Sequence, residues 1–294
     1  MTRRDALLIA GHGSRDPAGV AECAELIAAV EEVRPGLPTA LGFIELSPPP
    51  IHDAAAALAA AGATHITVVP LVLLGAGHAK TDVPAAITRQ RSLHPDVAFR
   101  YATPLGVHPD LLTIVDDRLA AAVAPAERAD TAVLVVGRGS SDPDANSDLA
   151  KVGRLLWEGR PWPLVETAFA GITAPTVEAG LDRCHRLGAR RVAVVPYFLF
   201  TGVLIRRIGD QARRWAARHP DVTVVVAGHL GVDQRVVRLV VERHDEAHAG
   251  EAHATCDRCI HRVALPGFEH AVGAPQTMHV HPHDPATHVH RPPR

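Results

Sequence analysis

The 294-residue chain has almost no net charge: 30 basic residues against 32 acidic ones leave a formal value of -2. Such a balance gives no overall attraction for nucleic acid or for an anionic membrane surface, so an anionic partner has to be met by a local concentration of positive charge. Long apolar runs are missing as well. The amino-terminal stretch MTRRDALLIAGHGS has two arginines and then six apolar residues before a polar loop. That is too few for a signal-peptide core or a membrane span, which points to a cytoplasmic protein. Cysteine is scarce, with four in all. Cys23 and Cys184 sit inside helix-like patterns, and only Cys256 and Cys259 are close together. In a reducing compartment such a pair suggests metal or redox chemistry more than a structural disulfide. The lysine of a phosphate-binding loop, G-x-x-x-x-G-K-[ST], is also absent, which argues against a phosphate-handling enzyme even though glycine loops precede helices here. What remains is a 47% hydrophobic chain, enough for one large or two medium domains with cores of their own.

The chain states one pattern twice. DALLIAGHGSRDP matches TAVLVVGRGSSDP at an offset of 126, and the same offset pairs GATHITVVPLVLLG (62 to 75) with GARRVAVVPYFLFT (188 to 201). Further on, HPDV at 94 pairs with HPDV at 219 and PLGV at 104 with HLGV at 229, now at an offset of 125. A unit of this length is too long for a solenoid repeat and matches a whole domain. Two related domains are therefore expected, 1–125 and 126–248, followed by a tail, 249–294. Within each half, short β-branched runs alternate with Ala-rich amphipathic segments such as 18 to 34 and 50 to 61. Apolar runs without a period of two indicate strands buried on both faces, and their alternation with helices indicates an α/β fold: about four parallel strands per half, flanked by helices. Ser47, followed by three prolines and IHDAAAALAAAG, reads as a helix start with a capping hydroxyl. That places Glu45 at the carboxyl end of the second strand, the edge where open α/β sheets bind ligands.

The same edge collects two histidines. His12 follows the first strand and His78 lies in LLGAGHAKTD after the third, so His12, Glu45 and His78 occupy equivalent strand ends at equal intervals of 33 residues. Two imidazoles and a carboxylate suit a borderline divalent ion such as Fe²⁺, Co²⁺, Ni²⁺ or Zn²⁺. The second half is an internal control. At the 126 offset His12 becomes Arg138, Glu45 becomes Gly171 and His78 becomes Leu204, while Gly11, Gly13, Ser14, Asp16, Pro17 and Pro70 keep their identities. Residues lost as a set worked as a set, which places one site in the N-terminal half and a degenerate one in the C-terminal half.

GHGSRDP at a strand end, FIELSPP and VVPLVLLGAGHAKTD resemble the class II chelatases of siroheme and cobalamin synthesis, the sirohydrochlorin chelatases, in their long two-domain form. The resemblance runs through both halves to about residue 245. It implies a lyase that inserts Fe²⁺ or Co²⁺, with Ni²⁺ in related members, into sirohydrochlorin. It also implies that His12 and His78 hold the metal, with Glu45 as the acidic residue of the site, either a ligand or a base. Insertion releases pyrrole protons, and neutral imidazole, with an unperturbed pKa of about 6.5, can both hold a metal loosely and accept a proton. Because a bound imidazole must be deprotonated, metal loading is expected to weaken in acid. The substrate is a polycarboxylate, so the cleft is expected to be locally basic: Arg15, Lys80, Arg138, Arg206 and Arg207 fall in segments predicted to be loops on that edge. Ser14 and Ser140 stand before helix starts, where hydroxyls and free amides can hold carboxylates. Arg138 is thus expected to have exchanged metal binding for substrate binding. No nucleic-acid or membrane partner is expected, and the protein is read as a monomer or homodimer.

Ten of the 19 histidines fall in residues 244 to 294, including MHVHPHD, and the prolines there argue against regular structure. Cys256 and Cys259, with His253 and His261 nearby, suit Zn²⁺ or part of an iron–sulfur cluster, and His279, His281 and His283 suit collection of transition metal. The stretch 265 to 275, LPGFEHAVGAP, is a candidate for docking back onto the core. A tail of this kind supports an alternative function, transition-metal storage or delivery.

Overall fold

The structure is a computed structural model that describes residues 3–253, 259, 264 and 266–272. Strand β1 (Asp5–Gly11) leads into helix α1 (Pro17–Val33), and the alternation continues through β2 (Thr39–Phe43), α2 (Ile51–Ala60), β3 (His65–Pro70), α3 (Val83–Leu93), β4 (Ala98–Tyr101) and α4 (Pro109–Ala122). The second repeat runs β5 (Ala132–Gly137), α5 (Pro143–Trp157), β6 (Val165–Phe169), α6 (Val177–Arg186), β7 (Arg191–Pro196), α7 (Val203–Arg218), β8 (Thr223–Val226) and α8 (Gln234–Ala249). Each repeat forms one four-stranded parallel sheet, in the order β2-β1-β3-β4 and β6-β5-β7-β8.

The local causes are repeated too. Asp16 and Asp142 cap α1 and α5 through the amides of Ala18 and Asp144, both at 3.1 Å, and a proline fills the first helical position, where no amide partner is needed. Ala6, Leu8 and Ala10 of β1 are buried in one cluster with Ile51, Ala54 and Leu58 of α2 and Val83 and Ile87 of α3. Leu7 and Ile9, on the other face of β1, are as fully buried. A strand covered on both sides cannot alternate, which explains its continuous apolar run. Each such leucine or isoleucine contributes roughly 1.5 to 3 kcal/mol of burial energy.

The compact units do not follow the sequence repeats to their ends. Residues 1–106 form one unit together with the chain from Val237 on, and residues 107–236 form the other. The last helix of each repeat thus belongs to the unit built on the other repeat's sheet. Arg118 on α4 donates through Nε and Nη2 to the carbonyls of His229 and Leu230, at 2.8 and 2.7 Å. Its counterpart 125 residues on, Arg243 of α8, donates in the same way to Pro104 and Leu105, at 3.2 and 3.1 Å. One arginine therefore closes the loop after the fourth strand in each unit, and in each unit it comes from the other repeat.

Two local expectations need correction. Helix α2 starts at Ile51 after Pro50 with no side-chain cap, so Ser47 does not cap it. Arg206 and Arg207 lie in the first two turns of α7, and Lys80 in a helical turn, His78–Asp82, not in loops. Among the described residues no helix is long and apolar enough to cross a membrane.

Candidate metal centre

In a parallel sheet all carboxyl ends share one edge, and the first unit uses three of them. His12 leaves β1 in a loop whose Gly13 has φ of +94°, where a side chain would be strained. A Cβ there would stand 1.8 Å from the Glu45 carbonyl oxygen, so only glycine lets the two loops meet. They meet closely: the Ile44 amide donates to Gly11 at 2.9 Å and the Glu45 amide to the His12 carbonyl at 3.1 Å. Ser47 completes the seam. Its hydroxyl donates to the Ser14 carbonyl at 2.9 Å and accepts the Ser14 amide at 3.0 Å, and Ser47 is only 2% exposed. The residue read as a helix cap is instead the tether between the His12 loop and the Glu45 loop.

His78 arrives from β3 on a π-helical turn, His78–Asp82, in which the Val83 amide reaches back to the His78 carbonyl. A widened turn of this kind re-aims side chains within an otherwise regular helix and often marks a functional position. The result is convergence. His12 Nε2 lies 3.2 Å from Glu45 Oε1, and the His12 and His78 rings meet edge to face with centroids 4.4 Å apart. One ligand atom from each of His12, Glu45 and His78 lies within 4.8 Å of the other two. Two ligands at about 2.1 Å from one ion are at most about 4.2 Å apart, so small side-chain adjustments bring all three onto one divalent ion. The side chains are 18 to 24% exposed, partly dry yet open to an incoming ion.

Two residues near this centre were not singled out from the sequence. Asp82 Oδ2 lies 2.6 Å from His78 Nδ1, and the Tyr101 hydroxyl donates to the Ala79 carbonyl at 2.5 Å. The repeat comparison carried the signal: at the 126 offset Asp82 becomes Ile208, and at the 125 offset Tyr101 becomes Val226.

The basic residues divide between the units. Arg15, exposed, and Lys80, half-buried, stand on the first unit's ligand edge; Arg138, Arg206 and Arg207, all exposed, stand on the second's. Ser14 and Ser140 differ from expectation. Their hydroxyls accept the amides of Asp16 and Asp142 at 3.0 Å, their own amides are taken by Ser47 and by Asn146, and aspartates cap the helices behind them. An anionic cap makes these helix starts poor carboxylate holders.

The thiols of Cys23 and Cys184 are buried core groups, each pushed up to about 12 by burial, and are not thiolates near neutrality. Cys259 is partly exposed, and His253 is exposed. Cys256, His261, His279, His281 and His283 lie outside the described residues, as do positions 265 and 273–275; residues 266–272 of the stretch read as a docking segment are described and mostly exposed.

Similarity to known proteins runs through both repeats. The CbiX family model matches residues 6–122 and again 132–247. The chain is 40% identical over 264 residues to the sirohydrochlorin cobaltochelatase of Priestia megaterium, covering 88% of this chain and 85% of that one. It is 32% identical over 246 residues to the sirohydrochlorin ferrochelatase of Bacillus subtilis (strain 168), covering 84% and 93%. The solved structure of SirB from Bacillus subtilis with Fe³⁺ superposes with a TM-score of 0.74 at 31% identity, covering 84% of this chain and 96% of that one. The chain therefore belongs to the CbiX family and carries that family's unit twice, with His12, Glu45 and His78 present only in the first copy.

Proposed function

We propose that this protein is a sirohydrochlorin chelatase, inserting Fe²⁺ or Co²⁺ into the tetrapyrrole through His12, Glu45 and His78. The observation that carries this is the convergence of these three side chains at adjacent strand ends of the first sheet, in a chain 40% identical to a cobaltochelatase and 32% identical to a ferrochelatase. Both metals fit the donor set, since two imidazoles and one carboxylate bind either ion.

The chemistry follows from those groups. The ion is substrate, so it must be held firmly enough to shed water and loosely enough to be given up; three protein ligands with no thiolate meet both demands. Two of the four M–N bonds formed in the macrocycle replace a pyrrole N–H and two use the lone pair of a ring nitrogen that carries no proton, and the two released protons need an acceptor near neutral pH. His12 and His78, freed as the metal leaves, supply one, and Glu45 both offsets the ion's charge and offers an oxygen to a pyrrole N–H. Arg15, Lys80, Arg138, Arg206 and Arg207 take the substrate's carboxylates, as expected of cations on the ligand edges of the two sheets.

The test is an anaerobic absorbance assay of the purified protein with sirohydrochlorin and Fe²⁺, Co²⁺ or Ni²⁺ in turn. A rate well above the metal-only reaction with at least one ion is the expected result. A protein that accelerates none of them is not a chelatase.

A further inference from the structure

We infer that Asp82 is a positioning residue for metal capture: by holding His78 Nδ1 it presents His78 Nε2 to the ion. The inference rests on the reading of His12, Glu45 and His78 as ligands.

The geometry is that of a carboxylate supporting an imidazole from behind. Asp82 Oδ2 sits 2.6 Å from His78 Nδ1, and the two side chains are only 15% and 18% exposed. An ionised carboxylate can only accept, so Nδ1 carries the hydrogen and Nε2 keeps its lone pair. Turning the ring away from the ion would break this bond in a half-dry environment. Such partners fix both the ring orientation and the tautomer of a metal-binding histidine.

The backbone that carries the pair is held separately. The Thr81 hydroxyl bonds the Gly77 carbonyl, and the Tyr101 hydroxyl, reaching from the end of β4, donates to Ala79 between His78 and Lys80. Burial, together with the Asp82 charge, holds the Tyr101 phenol well above its ordinary range, so it remains a donor. The second repeat shows what happens when no ligand needs support. Positions 204 to 208, equivalent to 78 to 82, run as regular α-helix within α7, Ile208 replaces Asp82 and is fully buried, and Val226 replaces Tyr101. The ligand, its carboxylate, the tyrosine and the widened turn disappear together, as expected if the last three serve the first.

The experiment titrates Co²⁺ into the full-length wild type, His78→Ala, Asp82→Ala, Asp82→Asn and Tyr101→Phe, following the visible absorption of bound Co²⁺. The difference between wild type and His78→Ala isolates this site from the tail histidines. Asp82→Ala is expected to weaken that difference signal by about 10- to 100-fold in affinity. It should raise the KM for metal more than it lowers kcat and leave the KM for sirohydrochlorin unchanged. Asp82→Asn keeps an oxygen that accepts from Nδ1 and is expected to recover most of the affinity; Tyr101→Phe loses a few-fold. An Asp82→Ala titration that overlays the wild type overturns the proposal alone, and so does Asp82→Asn binding no better than Asp82→Ala when both have wild-type circular dichroism. A wild type that binds no more Co²⁺ than His78→Ala overturns the metal-site reading and the proposal with it.

Discussion

The loops after β1 and β5 have the same shape and different jobs. Gly13 and Gly139 both adopt positive φ, at +94° and +85°, and a Cβ at either would collide with a carbonyl of the neighbouring loop. Leu46 and Ile172 share a left-handed backbone at +66° and +69°. The tethers differ. In the first repeat Ser14 is bonded by Ser47, 33 residues away on the loop that bears Glu45. In the second, Ser140 is bonded by Asn146, six residues away on its own helix, while the residue equivalent to Ser47 is Thr173 and the one equivalent to Asn146 is Val20. Strained backbone is commonly a mark of function. Here it survives in the copy without ligands, so it belongs to the architecture. The long-range tether belongs to the first copy alone, where it ties the His12 loop to the Glu45 loop.

The largest effect that would test this contrast comes from the ligands. His12→Ala and His78→Ala are each expected to lower metal insertion by at least about 100-fold, exceeding the loss from their supporting residues, while Leu204→Ala leaves Co²⁺ binding at wild-type affinity. An active His78→Ala protein would dissolve the distinction between the repeats. Next come the tethers. Ser47→Ala and Asn146→Ala each remove two hydrogen bonds and should each lower unfolding free energy by about 2 kcal/mol in urea titrations. Only Ser47→Ala should also slow insertion, by about tenfold, the 1.4 kcal/mol equivalent of slightly misplaced loops.

A smaller effect is expected at Arg138. Its exposure weakens any single carboxylate contact, so Arg138→Ala should raise the KM for sirohydrochlorin a few-fold, corresponding to roughly 0.5 to 1 kcal/mol, with the metal dependence unchanged. Arg138→His should bind no additional Co²⁺, because Gly171 and Leu204 withhold the other two ligands; an extra equivalent would refute that. The smallest effect appears only in acid. Asp233 accepts from Arg235 and is held at about 2, below the ordinary carboxylate value near 4. A depressed carboxylate stabilises the fold above its unfolded value, and that contribution is lost as pH falls from about 4 through about 2. Asp233→Asn should flatten the fall of the urea midpoint across this window and leave it unchanged in slope near neutrality. Asp233 also accepts the Arg235 amide at 3.0 Å, as its counterpart His108 accepts the Asp110 amide at 3.2 Å without a carboxylate.

Much of this was legible in the sequence because it is written twice. The repeat gave two related α/β halves of about four strands each, the continuous apolar runs gave a sheet buried on both faces, and subtraction of one copy from the other isolated His12, Glu45 and His78. The same subtraction held Asp82 and Tyr101, but nothing in their own spacing says that one lies behind a histidine and the other beneath a turn. Ser47 was misread since a hydroxyl before prolines is the local signature of a cap, and a bond to a residue 33 positions away has no local signature. At Ser14 and Ser140 the amides alone were miscounted: they were read as available when neighbouring side chains already use them. The placement of α4 and α8 was illegible, since periodicity shows that a helix has an apolar face and not which sheet that face covers.

That last placement also sets an order of events during synthesis. The first unit has its four strands once about 106 residues are made, but α8 joins it only after Val237 has been translated. At roughly 5 to 20 residues per second, the intervening stretch of about 130 residues imposes a delay on the order of ten seconds. During that interval the unit that carries His12, Glu45 and His78 lacks its last helix, whereas α4 precedes every strand of the second sheet in the chain. The unit that carries His12, Glu45 and His78 is thus the last to be completed, after the whole chain of the other unit has been made.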